Sequence, residues 1–272
     1  MPHLMETAIR AATSAGEYLR QNRGKLSPEN IDEKARNDFV TTVDRNSEKL
    51  IVDILRDQFP EHRILAEEGG LTQSGSQDYR WIIDPLDGTK NFIQNIPVFC
   101  ISIALQFKGE IILGVVYDPV HDELFSAEKG AGAFCNSQPA KVSSRDFRHS
   151  VIATGFPFKS KNHIPAYLLT FEEIFLKCSG MRRLGSAALD LSYTAIGRFE
   201  GFFELGLSIW DLAAGTLLIQ EAGGVVSDFW GGKRYLNTGF VVAGNPAIQP
   251  PILEITRYHF PEDNFLPSNM EK

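Results

Sequence analysis

The sequence has little with which to cross a membrane, form disulfides or grip a nucleic acid. No apolar run approaches the roughly 20 residues that a bilayer-spanning helix needs, and the first residues lack the hydrophobic core of a secretion signal. Cysteine is scarce. Cys100, Cys135 and Cys178 are odd in number and widely spaced, a pattern of neither a disulfide framework nor a zinc site. It suits free thiols in a reducing cytosol. Positive charge is in deficit: 27 Lys and Arg against 34 Asp and Glu leave a formal net charge of -7. That sign argues against strong direct nucleic-acid binding, while leaving room for a protein partner that itself binds RNA. Several catalytic signatures are also missing. There is no G-x-x-x-x-G-K-[ST] phosphate loop, no G-x-S-x-G elbow and no H-E-x-x-H. "GAGAFC" lacks the third glycine of a dinucleotide fingerprint and reads as a turn. The six histidines are scattered, and each reads as a surface or core residue. The expectation is a soluble, cytoplasmic protein with no membrane partner, whose chemistry rests on carboxylate, glycine and threonine.

What is present is enough to build a full core. A chain of 272 residues, 43% hydrophobic, suits one large domain or two joined lobes. Leu4, Met5, Ala8, Ile9, Ala12, Ala15, Tyr18 and Leu19 recur at helical spacing and predict an amphipathic helix over 3–21. A second helix is expected over about 44–58. Asp44 can cap it, Leu50, Ile51, Ile54, Leu55 and Phe59 form its stripe, and Pro60 stops it. "HRILA" is a strand running into glycines, 69–78 has loop composition, and 80–84 is a strand. "VFCISIALQF", "IILGVVYDP" and "ELFSAE" read as consecutive antiparallel strands. "EKGAGAF" and the polar "CNSQPAKVS" close this half near residue 145. The second half alternates. "SVIATGF", "FEGFFEL", "VVSDF" and "GFVVAGN" read as strands. Residues 163–177, a segment opened by Ser186, "IWDLAAGTLLIQEAGG" and "AIQPPILEITRYHF" read as helices. The expected fold is an α/β (α+β) layered sandwich of helices and mixed sheets. Its expected lobes are 1–145, with most of the site's acids, and 146–272, completing the site in one compact unit.

The chemistry concentrates in "YRWIIDPLDGTKNF", residues 79 to 92. Asp-Pro and Asp-Gly are common turn dipeptides, and Asp87 is in place to cap a helix at Gly88. A second reading is open. Asp84 lies at the carboxyl end of a buried strand, where α/β proteins build their sites. Pro85 cannot continue the ladder, so the chain is expected to turn out, bringing Asp87 beside Asp84 and freeing the Leu86 carbonyl. Such hard oxygens suit magnesium, whereas zinc prefers His or Cys. Gly88 and Thr89 would then open a helix whose free N–H groups receive an anion. Glu67 and Glu68 at another strand end, Asp44 after "NDFVTTV" and Asp211 after Trp210 each read equally as ligands or as solvated or capping acids.

Together "ILAEE", "WIIDPLDGTKNF" and "WDLAAGTLLIQEAGG" resemble the inositol monophosphatase family of magnesium-dependent, lithium-sensitive phosphatases. The resemblance runs from "FVTTVD" to "GFVVAGN". It is strongest toward the bacterial SuhB-type branch, through "YDPVHDELF", "ATGFPFK", "RRLGSAALDLSY" and "GFFE". It implies the sugar-phosphatase fold and hydrolysis of an inositol monophosphate, a polyol phosphate monoester, by metal-activated water. It also implies two or three Mg2+ ions, with Li+ inhibitory, and a homodimer. The resemblance places Glu67, Asp84, the Leu86 carbonyl, Asp87 and Asp211 on the metals. Thr89, Asp44 and Glu67 would handle the attacking water. Leu86, Asp87, Gly88, Thr89, Arg183, Gly185, Ser186, Ala187, Glu204 and Asp211 would contact substrate. Lys90 departs from the Thr of many relatives and is expected to point away. Related substrates, histidinol phosphate, fructose 1,6-bisphosphate or a 3′-phosphonucleotide, are the nearest alternatives. A scaffold role with RNA polymerase and Nus factors in transcription antitermination, or rRNA maturation, is the alternative from another class.

Overall fold

Small apolar residues let the N-terminal helix pack closely. In the computed structural model, which describes residues 2–27, 29, 31–35, 38–72, 75–158 and 160–265, α1 (Pro2–Asn22) fully buries Ala8, Ala11, Ala12, Ala15 and Leu19. An antiparallel pair, β1 (Ile31–Ala35) and β2 (Asp38–Thr41), leads into α2 (Thr42–Gln58). Thr41, rather than Asp44, is the N-cap of α2. The Thr41 hydroxyl accepts from the Val43 and Asp44 N–H groups, and the Asp44 carboxylate accepts the Thr41 N–H at 2.9 Å. This reciprocal capping box satisfies donors that the first turn otherwise strands. Ile51 and Leu55 are buried as the stripe requires, but Leu50 is exposed.

The strands β3 (His62–Ala66), β4 (Gly70–Leu71) and β5 (Ser76–Asp87) follow. After the short helix α3 (Thr89–Ile93) come β6 (Cys100–Phe107), β7 (Glu110–Asp118), β8 (Glu123–Glu128), β9 (Gly132–Cys135) and β10 (Gln138–Pro139). They form one eight-stranded sheet in the order β10-β9-β8-β7-β6-β5-β3-β4, antiparallel except for the parallel pair β3–β5. The second sheet is built from β11 (Val151–Thr154), β12 (Gly180–Arg182), β13 (Gly201–Glu204), β14 (Val225–Ser227) and β15 (Val241–Gly244), in the order β12-β11-β13-β15-β14. Strand β11 runs parallel to both its neighbours, and the remaining pairs are antiparallel. The helices are α4 (Ile164–Phe175), α5 (Ala187–Ala195), α6 (Ile209–Glu221), α7 (Tyr235–Thr238), α8 (Gln249–His259) and α9 (Glu262–Phe265).

Three apolar clusters glue the layers. Helices α1 and α2 cover one face of the larger sheet through Trp81, Ile83, Ile103 and Val115. The other face meets α5 and α6 through Ile82, Ala104 and Val116, and the same cluster reaches Phe202 and Ala243 of the second sheet. Ile152, Phe203 and Val242 pack outward toward α4 and α8 through Tyr167, Ile174 and Ile252. The result is the expected α/β layered sandwich with mixed, open sheets. No helix among the described residues is long and apolar enough to cross a membrane.

Several local expectations fail for identifiable reasons. Strand β5 does not stop at 84. It runs past Pro85 to Asp87, with Asp84 opposite Ser102 and Asp87 opposite Cys100. One extra residue on β5 is absorbed as a bulge, a place where a sheet tolerates proline. Within the presumed loop 69–78, Gly70–Leu71 pair with β3 and Ser76–Asp78 begin β5, while Gln73 and Ser74 lie outside the described residues. "GAGAFC" is not a turn throughout: Gly132–Cys135 form β9 against β8, with Ala133 buried. The eight-stranded sheet ends at Pro139 and the second begins at β11. Met1 and 266–272, the extremes of the two expected lobes, lie outside the described residues.

Candidate active site and metal centre

The bulge in β5 is where the acids gather. Asp84, 1% exposed, accepts the Leu86 N–H on Oδ1 at 3.0 Å, which shapes the turn. Asp87 is held from the other half of the chain. Its Oδ2 accepts the Ser186 hydroxyl at 2.7 Å and the Ala188 N–H at 2.8 Å, both at the start of α5. Asp211 lies in the first turn of α6 and accepts the Ser208 N–H at 2.6 Å. One carboxylate oxygen from each of Asp84, Asp87 and Asp211 lies within 4.8 Å of the others.

Such a cluster is electrostatically uncomfortable without a cation. Burial pushes the Asp84 carboxyl well above the usual range, and the charges of Glu67, Asp87 and Asp211 push it further. Asp87 rises to about 7, first through burial and then through Asp211, against the opposing bonds from Ser186 and Ala188. The soft atom nearby is the Cys100 sulfur, 3.9 Å from Asp87 Oδ2. Burial and Asp87 raise that thiol well above its ordinary value, so it stays protonated. The donors are therefore hard carboxylate oxygens, which fit magnesium by type and charge and fit zinc poorly.

Thr89, the first residue of α3, links this cluster to a buried acid. Its hydroxyl lies 2.9 Å from Asp44 Oδ1 and 3.1 Å from the Leu86 carbonyl oxygen. Asp44 is 1% exposed and meets the cavity only through Thr89. Burial raises its pKa, while bonds from Thr41 and Thr89 oppose the rise. Gly88 makes the approach possible. Its φ is 95°, and a Cβ there would sit 2.9 Å from the Val98 carbonyl oxygen, so only glycine fits.

A cavity of about 180 Å³ opens over these groups, and Glu67, Asp84, Leu86, Asp87, Gly88, Thr89 and Asp211 line its inner part. Glu204 and Arg183 line it as well. Glu204 ends β13 and is partly buried. Its carboxylate lies flat on Gly155, where a Cβ would come within 1.9 Å of Oε1. Enclosure raises Glu204 to about 8, with Asp211 adding to the shift and Arg183 opposing it. Of the expected loop, Gly185 lines the cavity. Ser186 and Ala187 do not: they are 1% and 6% exposed, because Ser186 caps α5 and directs its hydroxyl to Asp87.

Sequence reasoning missed the outer wall. Phe39, Phe156 and Phe158 line the cavity, and so does Lys90, which does not point away. Its Nζ lies over the Phe39 ring at 5.7 Å and the Phe158 ring at 4.9 Å. The signal was "GFPF", two large aromatics directly after the end of β11, a poor use of apolar residues unless they wall a site.

The family model for the inositol monophosphatase family matches residues 1–259. The chain belongs to the inositol monophosphatase family. Within it, the chain is 46% identical over 254 residues to "Nus factor SuhB" of Escherichia coli K12, covering 93% of this chain and 95% of that protein. The extragenic suppressor protein suhB from Bartonella henselae has the same fold, with a TM-score of 0.90, 40% identity and coverage of 94% of this chain and 98% of that one. The inositol monophosphatase from Anabaena (Nostoc) sp. PCC 7120 superposes with a TM-score of 0.85 at 36% identity, covering 97% of this chain and 98% of that chain.

Proposed function

We propose that the protein is a magnesium-dependent phosphatase that hydrolyses inositol monophosphate, a phosphate monoester of a polyol. The observation that carries this reading is the meeting of Asp84, Asp87 and Asp211 within 4.8 Å, beside the Thr89–Asp44 pair, in one cavity. Asp84, Asp87 and Asp211, with Glu67 and the Leu86 carbonyl, would hold two or three magnesium ions, and lithium would inhibit. When bound, magnesium supplies the positive charge that neutralises these acids, polarises the phosphoryl group and makes water a better nucleophile.

The protein's own residues then divide the work. Thr89 orients the attacking water, and its hydroxyl is itself fixed by Asp44. Glu67 takes the proton of that water as general base, and Asp44 accepts it through hydrogen bonds relayed by the Thr89 hydroxyl. The Gly88 and Thr89 amides, which open a helix and lack intrahelical acceptors, receive phosphoryl oxygens. Glu204 accepts hydrogen bonds from the alcohol hydroxyls, with Arg183 and Gly185 flanking the ring. Ser186 and Ala188 position Asp87. The test is phosphate release from inositol 1-phosphate. Asp87→Asn and Asp211→Asn are expected to lose turnover while keeping the native circular dichroism. Normal hydrolysis by folded Asp87→Asn protein would refute the site.

The name Nus factor carried by the Escherichia coli relative supports a second role, as a cytoplasmic partner of RNA polymerase and Nus factors. Capture of those proteins by Asp87→Asn protein is expected if the scaffold role is independent of catalysis. A homodimer is supported by the exposed apolar residues Leu168, Leu169, Phe175 and Leu176 on and after α4, and sedimentation equilibrium at twice the 30.3 kDa chain mass would verify it.

A further inference from the structure

Arginine cannot shed its charge inside a protein, so two of them side by side without a counter-ion are a standing cost. Strands β3 and β5 hold such a pair. They run parallel with Arg63 opposite Arg80, and neighbouring strands lie about 4.8 Å apart. Alternation along a strand sets the face the two share. Ile64, Ala66, Trp81 and Ile83 pack toward α1 and α2, so Arg63 and Arg80 fall with Ile82 on the opposite face. Gln106 of β6 lies opposite Arg80 and extends the row.

Neither guanidinium is a fully solvated surface group. Both residues are half-buried. Both Nε atoms are shut off from solvent and have no hydrogen-bond partner among the described residues, and a buried donor left unpaired is costly. Burial, and after it the Arg63 charge, push the Arg80 guanidinium below its ordinary value. Asp78, two residues before Arg80 on β5, reaches Lys108 at 4.0 Å. Among the described residues no carboxylate forms an ion pair with Arg63 or Arg80. An anion would complete this set. A carboxylate presents two oxygens in one plane and fills a single guanidinium fork, whereas a tetrahedral dianion turns oxygens toward both. The half-buried position suits a compact ion better than a polymer. Neither arginine lines the catalytic cavity. Arg63 lies four residues before Glu67 and Arg80 four before Asp84, roughly 13 Å along extended chain.

We propose that Arg63 and Arg80 bind a free phosphate-type dianion on this face of the larger sheet, at a site separate from the catalytic cavity. The site stands on the arginine pair alone and does not depend on the phosphatase reading.

The test is equilibrium dialysis of inorganic phosphate against magnesium-loaded protein, with chloride holding the ionic strength constant. Wild type, Arg63→Gln, Arg80→Gln and Asp211→Asn are compared, and the two arginine variants keep the test open if one fails to fold. Asp211→Asn, altered in the catalytic cavity, is expected to retain one bound phosphate per chain. In each arginine variant that component is expected to weaken about tenfold, the loss of roughly one charge-assisted contact. Urea midpoints give a second readout. Without phosphate, Arg80→Gln is expected to match or exceed wild type, because the repulsion is gone. With phosphate the order is expected to reverse, since the anion stabilises only the chain that binds it. Phosphate isotherms that coincide in wild type and the folded arginine variants overturn the site, and so does a midpoint order that phosphate leaves unchanged.

Discussion

At the scale of single residues, the site is defined by what is omitted as much as by what is placed. Gly155 has an ordinary backbone conformation, so nothing in its φ demands glycine. The demand comes from Glu204, whose carboxylate occupies the space a side chain would take. Gly155→Ala is therefore expected to fold, to displace Glu204, and to raise KM for a polyol phosphate by about tenfold, the loss of roughly one good hydrogen bond. Unchanged steady-state kinetics in this variant would remove Glu204 from the substrate contacts. Residue identity made part of this site readable in advance. Asp84, Leu86, Asp87 and Thr89 sit in one string at the end of a buried strand, although Asp-Pro and Asp-Gly taken alone would read as a turn. Phe156 and Phe158 show only as the pair in "GFPF", and Phe39 not at all, because a single aromatic in a short strand carries no periodicity to distinguish a wall from a core. Lys90 was misread for a related reason. Neighbours on a helix point apart, yet in a helix of five residues beside a cavity both Thr89 and Lys90 reach the opening.

At the scale of elements, close approach between backbones fixes the layers. Strand β7 lies so near α6 that a Cβ on Gly114 would come within 2.9 Å of the Ala214 carbonyl oxygen. A helix backbone inside the sandwich cannot give way as a flexible side chain does. Gly114→Ala is expected to destabilise the fold by about 1–3 kcal/mol through overpacking, read as a lower urea midpoint at constant slope. A midpoint equal to wild type would mean that the layers slide freely. The longer elements were legible from pattern alone. Helices α1 and α6 and strands β6 to β8 declare their type over many residues. The short β4, β10 and β12 did not, since two or three residues show no period, and their pairing is decided by distant partners. Asp44 is not the cap that its place before the helix suggests: Thr41, three residues earlier, is, and the Asp44 carboxylate serves both the capping box and Thr89.

For the molecule as a whole, folding confines acids that would rather be apart. Asp87 moves from 3.8 to about 7 and Glu204 from 4.5 to about 8, mainly through burial. Between about pH 4 and 8 the folded chain binds more protons than the unfolded one. The stability these groups contribute is thus full at the acidic end and is lost as pH rises through the folded values. The melting temperature of metal-stripped protein is expected to fall across that window, and less so in Asp87→Asn. Magnesium at about 100 times its dissociation constant should restore about 2.7 kcal/mol. A melting temperature indifferent to both pH and magnesium would argue against a metal site. The bulge in β5 decides where all this happens. Side chains of a regular strand alternate, so two acids three positions apart would face opposite sides of the sheet. Because one residue is absorbed at Pro85, Asp84 and Asp87 instead fall opposite Ser102 and Cys100, which are two apart and share a face. The odd interval in Asp-Pro-Leu-Asp is a parity correction. It turns both carboxylates toward α5, α6 and the second sheet, and away from the packing against α1 and α2.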